Sequence, residues 1–358
     1  MIYREAGQFK VSYQADQAIF PIAQDRFVVL AALAIAYFVV PLMASEYVYR
    51  AVLIPTVILA LAAIGLNVLM GYCGQVSLGS GAFMAIGAYA AYNLAVRLPF
   101  LNPFVCILLG GVVSAGVGVA FGIPSLRIKG FYLACATLAA QFFADWAFAR
   151  IRWLTNDSPS GSVNAPPLQL FGFDLSAPAA IYLVALTFTA VLALGVKNIV
   201  RGHIGRQWMA IRDMDIAAEI IGVRPMYAKL SAFAVSSFLI GVAGALWAFV
   251  YLGSWEPAAF SIDRSFQLMF MVIIGGLGSI LGSVLGAIFI VLLPIFLNQA
   301  LPVLGAAVGW KISTATVSHF EAMTFGALIV FFLVVEPHGL ARLWSLAKEK
   351  LRLWPFPH

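Results

Sequence analysis

The stretch GLNVLMGYCGQVSLGSGAFMAIGAYAAY (65–92) begins as an apolar helix, breaks, and then begins an apolar helix again. The break runs from Gly71 to Gly81 and holds Gln75 among several glycines and serines, while Asn67 lies in the apolar run before it. Glycine and polar residues of this kind interrupt regular helices. The stretch predicts two helices joined by an irregular segment, and the rest of the chain decides in which environment they lie.

The overall composition indicates a membrane protein. Of the 358 residues, 63% are hydrophobic and only 10% are charged, and the mean hydropathy is +0.97. Soluble domains are about half apolar and about a quarter charged. The apolar residues form long continuous runs, as bilayer-spanning helices require, rather than the alternating strands of a membrane barrel. The sequence therefore predicts an all-α fold, a polytopic transmembrane helical bundle with glycine-broken helices.

Hydropathy predicts about 10 spans, with a range of 8–10 because the eighth run is too short to cross alone. An even number places both termini on one side, and a cytoplasmic placement puts most of the 21 lysines and arginines in the cytoplasm, as the positive-inside rule requires. The net charge of +6 is therefore assigned to cytoplasmic loops and not to nucleic-acid binding. The runs are 27–43, 51–70, 79–97, 104–124, 130–149, 177–197, 227–252, 266–276, 280–297 and 321–336.

The chain divides into a long membrane domain and two short ends. Residues 1–26 are predicted to be a cytoplasmic N-terminal segment and a candidate for a short interfacial helix, because so polar a start does not fit a signal peptide. Residues 27–340 form the predicted transmembrane domain, and 341–358 a cytoplasmic C-terminal tail. Two connections are longer than the others, namely 150–176 outside the cell and 198–226 in the cytoplasm.

The inner connection contains RDMDIAAEIIGVRP (212–225), which is typical of a short amphipathic helix. Asp213 or Asp215 can cap its start, and Gly222 suits the left-handed position that ends a helix. Ile216 and Ile220 share one face. Two readings remain open: an interfacial helix that packs on lipid headgroups, or a docking element that presents small and apolar residues to the groove of a partner.

Small residues repeat every four positions in two other segments, and we interpret both series as close helix packing in lipid. The stretch GGLGSILG (275–282) is not a dinucleotide-binding loop, because no predicted strand precedes it. The first series is Gly110, Ser114, Gly118 and Gly122, and the second is Gly278, Gly282 and Gly286.

Polar side chains inside the spans are candidates for a solute pathway. Thr137, Gln141 and Asp145 share one face of the fifth span, although Asp145 lies near the outer end, where an ion pair with Arg150 is at least as well favoured. The predicted spans hold no deep acid, which weakens an ion-coupled mechanism. The sequence contains no catalytic motif, and its three cysteines have neither disulfide nor zinc spacing, so the chain is not expected to be an enzyme.

Four stretches together carry a resemblance to a known family. In order they are GLNVLMGYCGQVSLGSGAFMAIGAY (65–89), LRIKGFYLACATLA (126–139), GRQWMAIRDMDIAAEIIGV with KLSAFAVSSFLIGVAGAL (205–246), and MVIIGGLGSILGSVLGA (271–287). Through their order and spacing, the chain resembles the LivM-type permease subunits of high-affinity branched-chain amino acid ABC importers. The likeness covers nearly the whole chain after residue 50.

The resemblance implies a multi-pass permease subunit of the bacterial inner membrane that works by alternating access. It would carry branched-chain amino acids or related small polar solutes (amides, urea and aromatic acids) into the cytoplasm. The implied partners are a second, LivH-like permease, two cytoplasmic ATPases and a periplasmic solute-binding protein. ATP and magnesium would be bound by the ATPases, with no cofactor in this chain. The alternative is an ion-coupled secondary transporter of small solutes.

The resemblance also assigns roles to residues, and two positions depart from the family pattern. The family commonly has histidine where this chain has Ser80, and a more glycine-rich outer loop where this chain has DSPSGS (157–162), so the solute is left open. The implied ATPase-coupling residues are Arg212, Asp215, Ala217, Ala218, Glu219 and Gly222. The implied translocation-path residues are Asn67, Gly71, Gly74, Gln75, Ser77, Gly79 and Ser80.

Overall fold

In a computed structural model the chain folds almost entirely into helices, as the composition predicts. The structure describes residues 11–12, 23–125, 131–156, 158, 161–170, 173–175, 177–308, 314–336 and 338–353. Most of the candidate interfacial helix of 1–26 and half of DSPSGS (157–162) lie outside these residues. The prediction of an all-α polytopic bundle is confirmed.

Twelve helices make up the described part of the chain. Four stretches within them are π-helical, at Ile35–Val39, Tyr49–Leu53, Val68–Tyr72 and Trp247–Leu252. The helices are α1 (23–43), α2 (Glu46–Tyr72), α3 (Ser80–Arg97), α4 (Pro103–Ser125), α5 (Phe131–Arg150), α6 (Pro178–Arg201), α7 (His203–Ile220), α8 (Pro225–Leu252), α9 (Ile262–Gly275), α10 (Ile280–Val308), α11 (Thr314–Val335) and α12 (Gly339–Leu353).

Each of the ten predicted spans lies on a helix, and the two remaining helices are α7 and α12. In the described residues, seven helices are long and apolar enough to cross a membrane, or eight if α11 and α12 form one span bent by 55°. The predicted short run at 266–276 belongs to α9, which has 14 residues and continues a 3₁₀ turn at Pro257–Phe260. The chain is thus a multi-pass membrane protein.

The centre of the bundle is formed by α2, α3, α4 and α8, whose buried faces are rich in small residues. A methyl group on Gly87 of α3 would collide with the backbone of Gly241 in α8, and one on Gly244 would collide with Met84 in α3. Glycine lets these helix backbones touch, and dispersion forces at that distance hold the helices together in lipid.

The predicted packing role of the small-residue series is confirmed for six of the seven positions. On α4, Gly110 lies against Gly87, Gly118 against Ser237 and Gly122 against Leu230, and Ser114 donates its hydroxyl to the Phe83 carbonyl at 3.1 Å. On α10, Gly282 and Gly286 face α9. Including Gly278 in that ladder was wrong, because it precedes α10 in a turn with a φ of +76°.

The two ends of the bundle differ in structure. At one end the side chains of Asp25 and Lys348 meet at 2.9 Å, so the start of α1 lies beside the second half of α12. At the other end two short antiparallel ladders cover the bundle, formed by β1 (Val163–Asn164) with β4 (Ser254–Trp255), and by β2 (Gln169–Leu170) with β3 (Phe173–Asp174). The described residues of the connection 150–176 therefore pack on the bundle end opposite α7.

Candidate functional site

The predicted helix break is present and is made of irregular chain. The helix α2 ends in the π-helical turn Val68–Tyr72, and residues 73–79 cross to Ser80, where α3 begins. Gly74 takes a φ of +70°, a conformation that side-chain-bearing residues rarely adopt. Glycine therefore suits position 74, where the chain turns away from the end of α2.

Asn67 ties this break to a second one, between α9 and α10. Its amide nitrogen donates to the Ser279 carbonyl at 2.9 Å and to the Ser283 hydroxyl at 2.7 Å, and its amide oxygen accepts the Gly278 N–H at 2.9 Å. A methyl group on Gly71 would collide with both Asn67 and Gly278. Asn67 thus satisfies the Gly278 N–H, which precedes α10 and has no helical partner, and adds a further donor to the Ser279 carbonyl.

The start of α3 is capped by side chains from two other helices. Gln141 of α5 accepts the Ala82 N–H at 2.6 Å, Ser265 of α9 accepts the Gly81 N–H at 2.7 Å, and Thr137 of α5 accepts the Leu78 N–H at 2.9 Å. These contacts occupy N–H groups that a helix start otherwise leaves unpaired. The first turn of this half-helix is therefore held by protein groups in this conformation.

Capping is a role that the sequence reasoning missed. Thr137 and Gln141 were interpreted as pathway candidates from their shared face, and Ser265 was not singled out, because nothing in the sequence shows that they meet the break. The carboxylate of Asp145 accepts a hydrogen bond from Gln141 at 3.1 Å, and this contact replaces the expected ion pair with Arg150.

The predicted path residues gather around the two breaks, and most are enclosed by protein. Asn67, Gln75, Ser77 and Ser80 are buried, whereas Gly74 is exposed. Within the described residues, the Gln75 Oε1 and the Ser80 Oγ have no hydrogen-bond partner. A buried polar group without a partner is costly. The assignment of these residues to a path stays a prediction.

The helix α7 has two halves that meet at Met214, whose φ of −161° and ψ of 99° interrupt the helix. The first half is anchored: Trp208 is fully buried and donates its indole N–H to the Ser231 hydroxyl at 2.9 Å. The second half is exposed, with Ile216 at 65% and Ile220 at 80%. Met214 stands at the start of this second half, between Asp213 and Asp215, and the expectation that one of these aspartates caps it stays a prediction.

The predicted coupling residues divide between two environments. Ala218 is buried and the Asp215 carboxylate lies 4.0 Å from the Lys229 ammonium, so both face the bundle. Ala217 and Glu219 are exposed. Gly222 has a φ of +93° at the end of the helix, as its position predicted. Their role in coupling stays a prediction, but they lie on one short element.

Arg212 joins the bend of α7 to both breaks. Its Nη1 donates to the Gly71 carbonyl at 3.0 Å, and its side chain packs against Gly74, where a methyl group would lie 2.9 Å from its Cγ. A methyl group on Gly278 would lie 3.4 Å from the same Nη1. The Asp213 carboxylate contacts Arg212 from the other side at 2.9 Å.

The sequence of the chain matches one family over most of its length. The family described as "branched-chain amino acid transport system / permease component" matches residues 48–333, which include both breaks and α7. A search of solved structures gave no match.

Individual relatives agree with the family match. The chain is 29% identical over 312 residues to the high-affinity branched-chain amino acid transport system permease protein LivM of Salmonella typhimurium, covering 80% of this chain and 68% of that protein. It is 22% identical to the probable LivM of Methanocaldococcus jannaschii (78% and 89%), and 26% identical to the ribose import permease protein RbsC of Haemophilus influenzae (78% and 82%). The chain therefore belongs to the permease components of branched-chain amino acid transport systems, the ABC-type family that its sequence stretches resemble.

Proposed function

We propose that this chain is the transmembrane permease subunit of an ABC importer in the bacterial inner membrane. Family membership supports branched-chain amino acids or related small polar solutes as the cargo. The inward direction is supported by the relative from Haemophilus influenzae, which is named an import permease. The partners in this proposal are a second, LivH-like permease, two ATPases and a periplasmic binding protein.

The exposed half of α7 is the observation that carries the proposal. Met214, Ile216, Ile220 and Ile221 are between 65% and 80% exposed, and we call them the docking surface. The helix also carries Arg206, Arg212, Asp213, Asp215 and Glu219, so it does not lie in the hydrocarbon core. An anchored helix with a bare apolar end fits the groove of a soluble partner.

The position of α7 supports a cytoplasmic partner. Arg212 contacts the second break, and Gly276 in that break lies against His338 beside the start of α12. The helix α12 in turn contacts Asp25 near the start of α1. The docking surface therefore lies at the same end of the bundle as both described ends of the chain, and positive-inside counting assigns that end to the cytoplasm.

In this proposal the ATPases supply the energy and this chain supplies the path. The ATPases bind ATP and magnesium, and their closure moves the second half of α7. The two breaks then rearrange between an inward-facing and an outward-facing state. Discontinuous helices commonly surround transport sites, and the unpaired Gln75 and Ser80 atoms offer polar contacts to a passing solute.

Replacing two residues of the docking surface tests the proposal. Ile216→Ser with Ile220→Ser removes exposed apolar area, and contacts of this kind dominate partner binding. We expect the ATPase subunits to be lost on affinity purification and solute uptake to fall at least about tenfold. Ile204→Ser, an exposed isoleucine in the first half of the same helix, is the matched control and should behave as the wild type.

The same uptake assay separates the proposal from an ion-coupled secondary transporter. Uptake by the proposed importer stops when ATP is depleted and persists when an ionophore collapses the ion gradients. The reverse pattern, together with purification of the native protein without any nucleotide-hydrolysing subunit, would contradict the proposed function.

A further inference from the structure

The carbonyl of Gly71 needs a donor from outside its own helix. The last carbonyls of a helix have no intrahelical partner, and a cation near the C-terminal end is favoured by the helix dipole. Arg212 supplies both, because its Nη1 donates to this carbonyl at 3.0 Å and carries a positive charge. Such a charge-assisted hydrogen bond is stronger than one between neutral groups. Arg212 is thus the C-terminal cap of α2, although it lies 141 residues away along the chain.

The guanidinium of Arg212 is fixed on its other side as well. Its Nε and its Nη2 each lie 2.9 Å from the Asp213 Oδ1. The planar group has one edge on a carboxylate and one nitrogen on the Gly71 carbonyl, so its orientation is determined by two partners. A lysine ammonium is a point charge and cannot hold both contacts in this plane.

Arg212 also lies beside the bend of α7, two residues before Met214. The half that precedes it is anchored by Trp208 and Ile211, which are buried, and the half that follows carries the docking surface. Because α7 is not helical at Met214, a force on the docking surface acts first at this bend. Arg212, next to this bend, contacts Gly71 and Gly74 at the break between α2 and α3, and Asp213 contacts its guanidinium.

We propose that Arg212 is the positioning residue through which movement of the docking surface opens the break at residues 73–79. When α7 bends at Met214, the contact with Gly71 breaks, and the packing on Gly74 and Gly278 is released in the same step. The two breaks, which Asn67 already ties together, then move as one unit. The inference rests on the proposed function, because it requires a partner that pulls on the docking surface.

The native Cys73 reports whether this junction is closed. It follows α2 directly, is 2% exposed, and precedes Gly74, on which Arg212 packs. Burial raises the pKa of the Cys73 thiol to about 12, although the charge of Lys229 acts in the opposite direction. The thiolate is the reactive form, so a maleimide should label Cys73 slowly while the junction is closed and faster once water reaches it.

The experiment uses the complete transporter in membranes, with Cys135→Ser to remove the exposed thiol. A membrane-permeant maleimide should label Cys73 at least about fivefold faster in the vanadate-trapped state than without nucleotide, a lower bound set by typical coupling between sites. Arg212→Ala should label at the fast rate in both states. It should still hydrolyse ATP but carry much less solute per ATP. Arg206→Ala, an exposed arginine of the anchored half, should match the wild type.

Two further variants test the geometry if Arg212→Ala does not assemble. Arg212→Lys keeps the charge but not both contacts, so its labelling rate and transport should lie between those of Arg212→Ala and the wild type. Asp213→Asn keeps the contact of Arg212 with Gly71 but weakens the contact that orients the guanidinium. Its labelling without nucleotide should rise less than that of Arg212→Ala. The inference is overturned if Arg212→Ala, or Arg212→Lys in its place, keeps wild-type labelling in both states and wild-type transport per ATP. If no ATPase purifies with the wild type, the proposed function has failed instead.

Discussion

At the scale of the residue, Asn67 holds the two breaks in register. It is 1% exposed and makes three hydrogen bonds to residues more than 200 positions away. Asn67→Ala would leave the Gly278 N–H without its acceptor and would remove the hydrogen bonds to the Ser279 carbonyl and the Ser283 hydroxyl. We expect the free energy of unfolding to fall by about 2 kcal/mol. This is less than the sum of three separate hydrogen bonds, because side-chain hydrogen bonds in membrane proteins contribute little each.

Thermal unfolding in detergent measures this loss against a matched asparagine. Asn298 is also on a helix, but its side chain is exposed and donates to the Pro294 carbonyl of the same helix. Asn298→Ala should stay within about 0.5 kcal/mol of the wild type, as surface changes usually do. Equal effects of the two substitutions would show that the contacts of Asn67 do not hold the breaks.

The residues of the breaks could be predicted from the sequence, but their partners could not. Asn67 and Gln75 stand out as polar groups in an apolar run, and Gly71 and Gly74 as breakers. The contact between Asn67 and Gly278 joins positions 211 apart, and no local pattern encodes it. For the same reason the contact of the Arg212 guanidinium with Gly71 could not be predicted, and the expected role of Arg212 in ATPase coupling stays a prediction.

At the scale of the element, glycine sets how closely α3 and α8 approach. A methyl group at Gly87 would collide with the backbone of Gly241, which cannot move like a flexible side chain. Gly87→Ala should therefore push the helices apart and cost about 1–3 kcal/mol, the usual range for overpacking. The midpoint of thermal unfolding in detergent measures the change.

Gly116 provides the control for that substitution, because a methyl group there meets nothing within 4 Å. Gly116→Ala removes a flexible residue from the interior of α4 and should leave stability unchanged or raise it by up to about 1 kcal/mol. If both substitutions lowered the midpoint equally, helix flexibility and not backbone contact would explain the result.

The positions of the helices followed from the sequence because apolar run length is a local property. All ten predicted runs lie on helices, and the four-residue spacing of Gly110, Ser114 and Gly118 correctly indicated a packing face. The bend at Met214 followed only in part. Asp213 and Asp215 indicated that a helix starts there, but the anchored half before it is recognised only once Trp208 and Ile211 are seen to be buried against the bundle.

At the scale of the whole molecule, the two ends of the bundle have distinct structures. The end with α7 also holds the contact between Asp25 and Lys348, and the opposite end is covered by the short β ladders. Transport by the proposed mechanism requires the first end in the cytoplasm, where ATP is available. The orientation of the molecule is thus a test of the whole scheme.

Two single cysteines, in a chain that lacks Cys135, decide this orientation. Ser254→Cys lies in β4 and Glu349→Cys in α12, and both positions are exposed, at opposite ends of the bundle. A charged maleimide does not cross the hydrocarbon core, so in spheroplasts it should label Ser254→Cys and leave Glu349→Cys unlabelled. Inside-out vesicles should reverse the pattern. Labelling of Glu349→Cys in intact spheroplasts would place α7 outside the cell, where a docking surface has no ATPase to meet, and the assignment of α7 as the ATPase-docking helix would then be wrong.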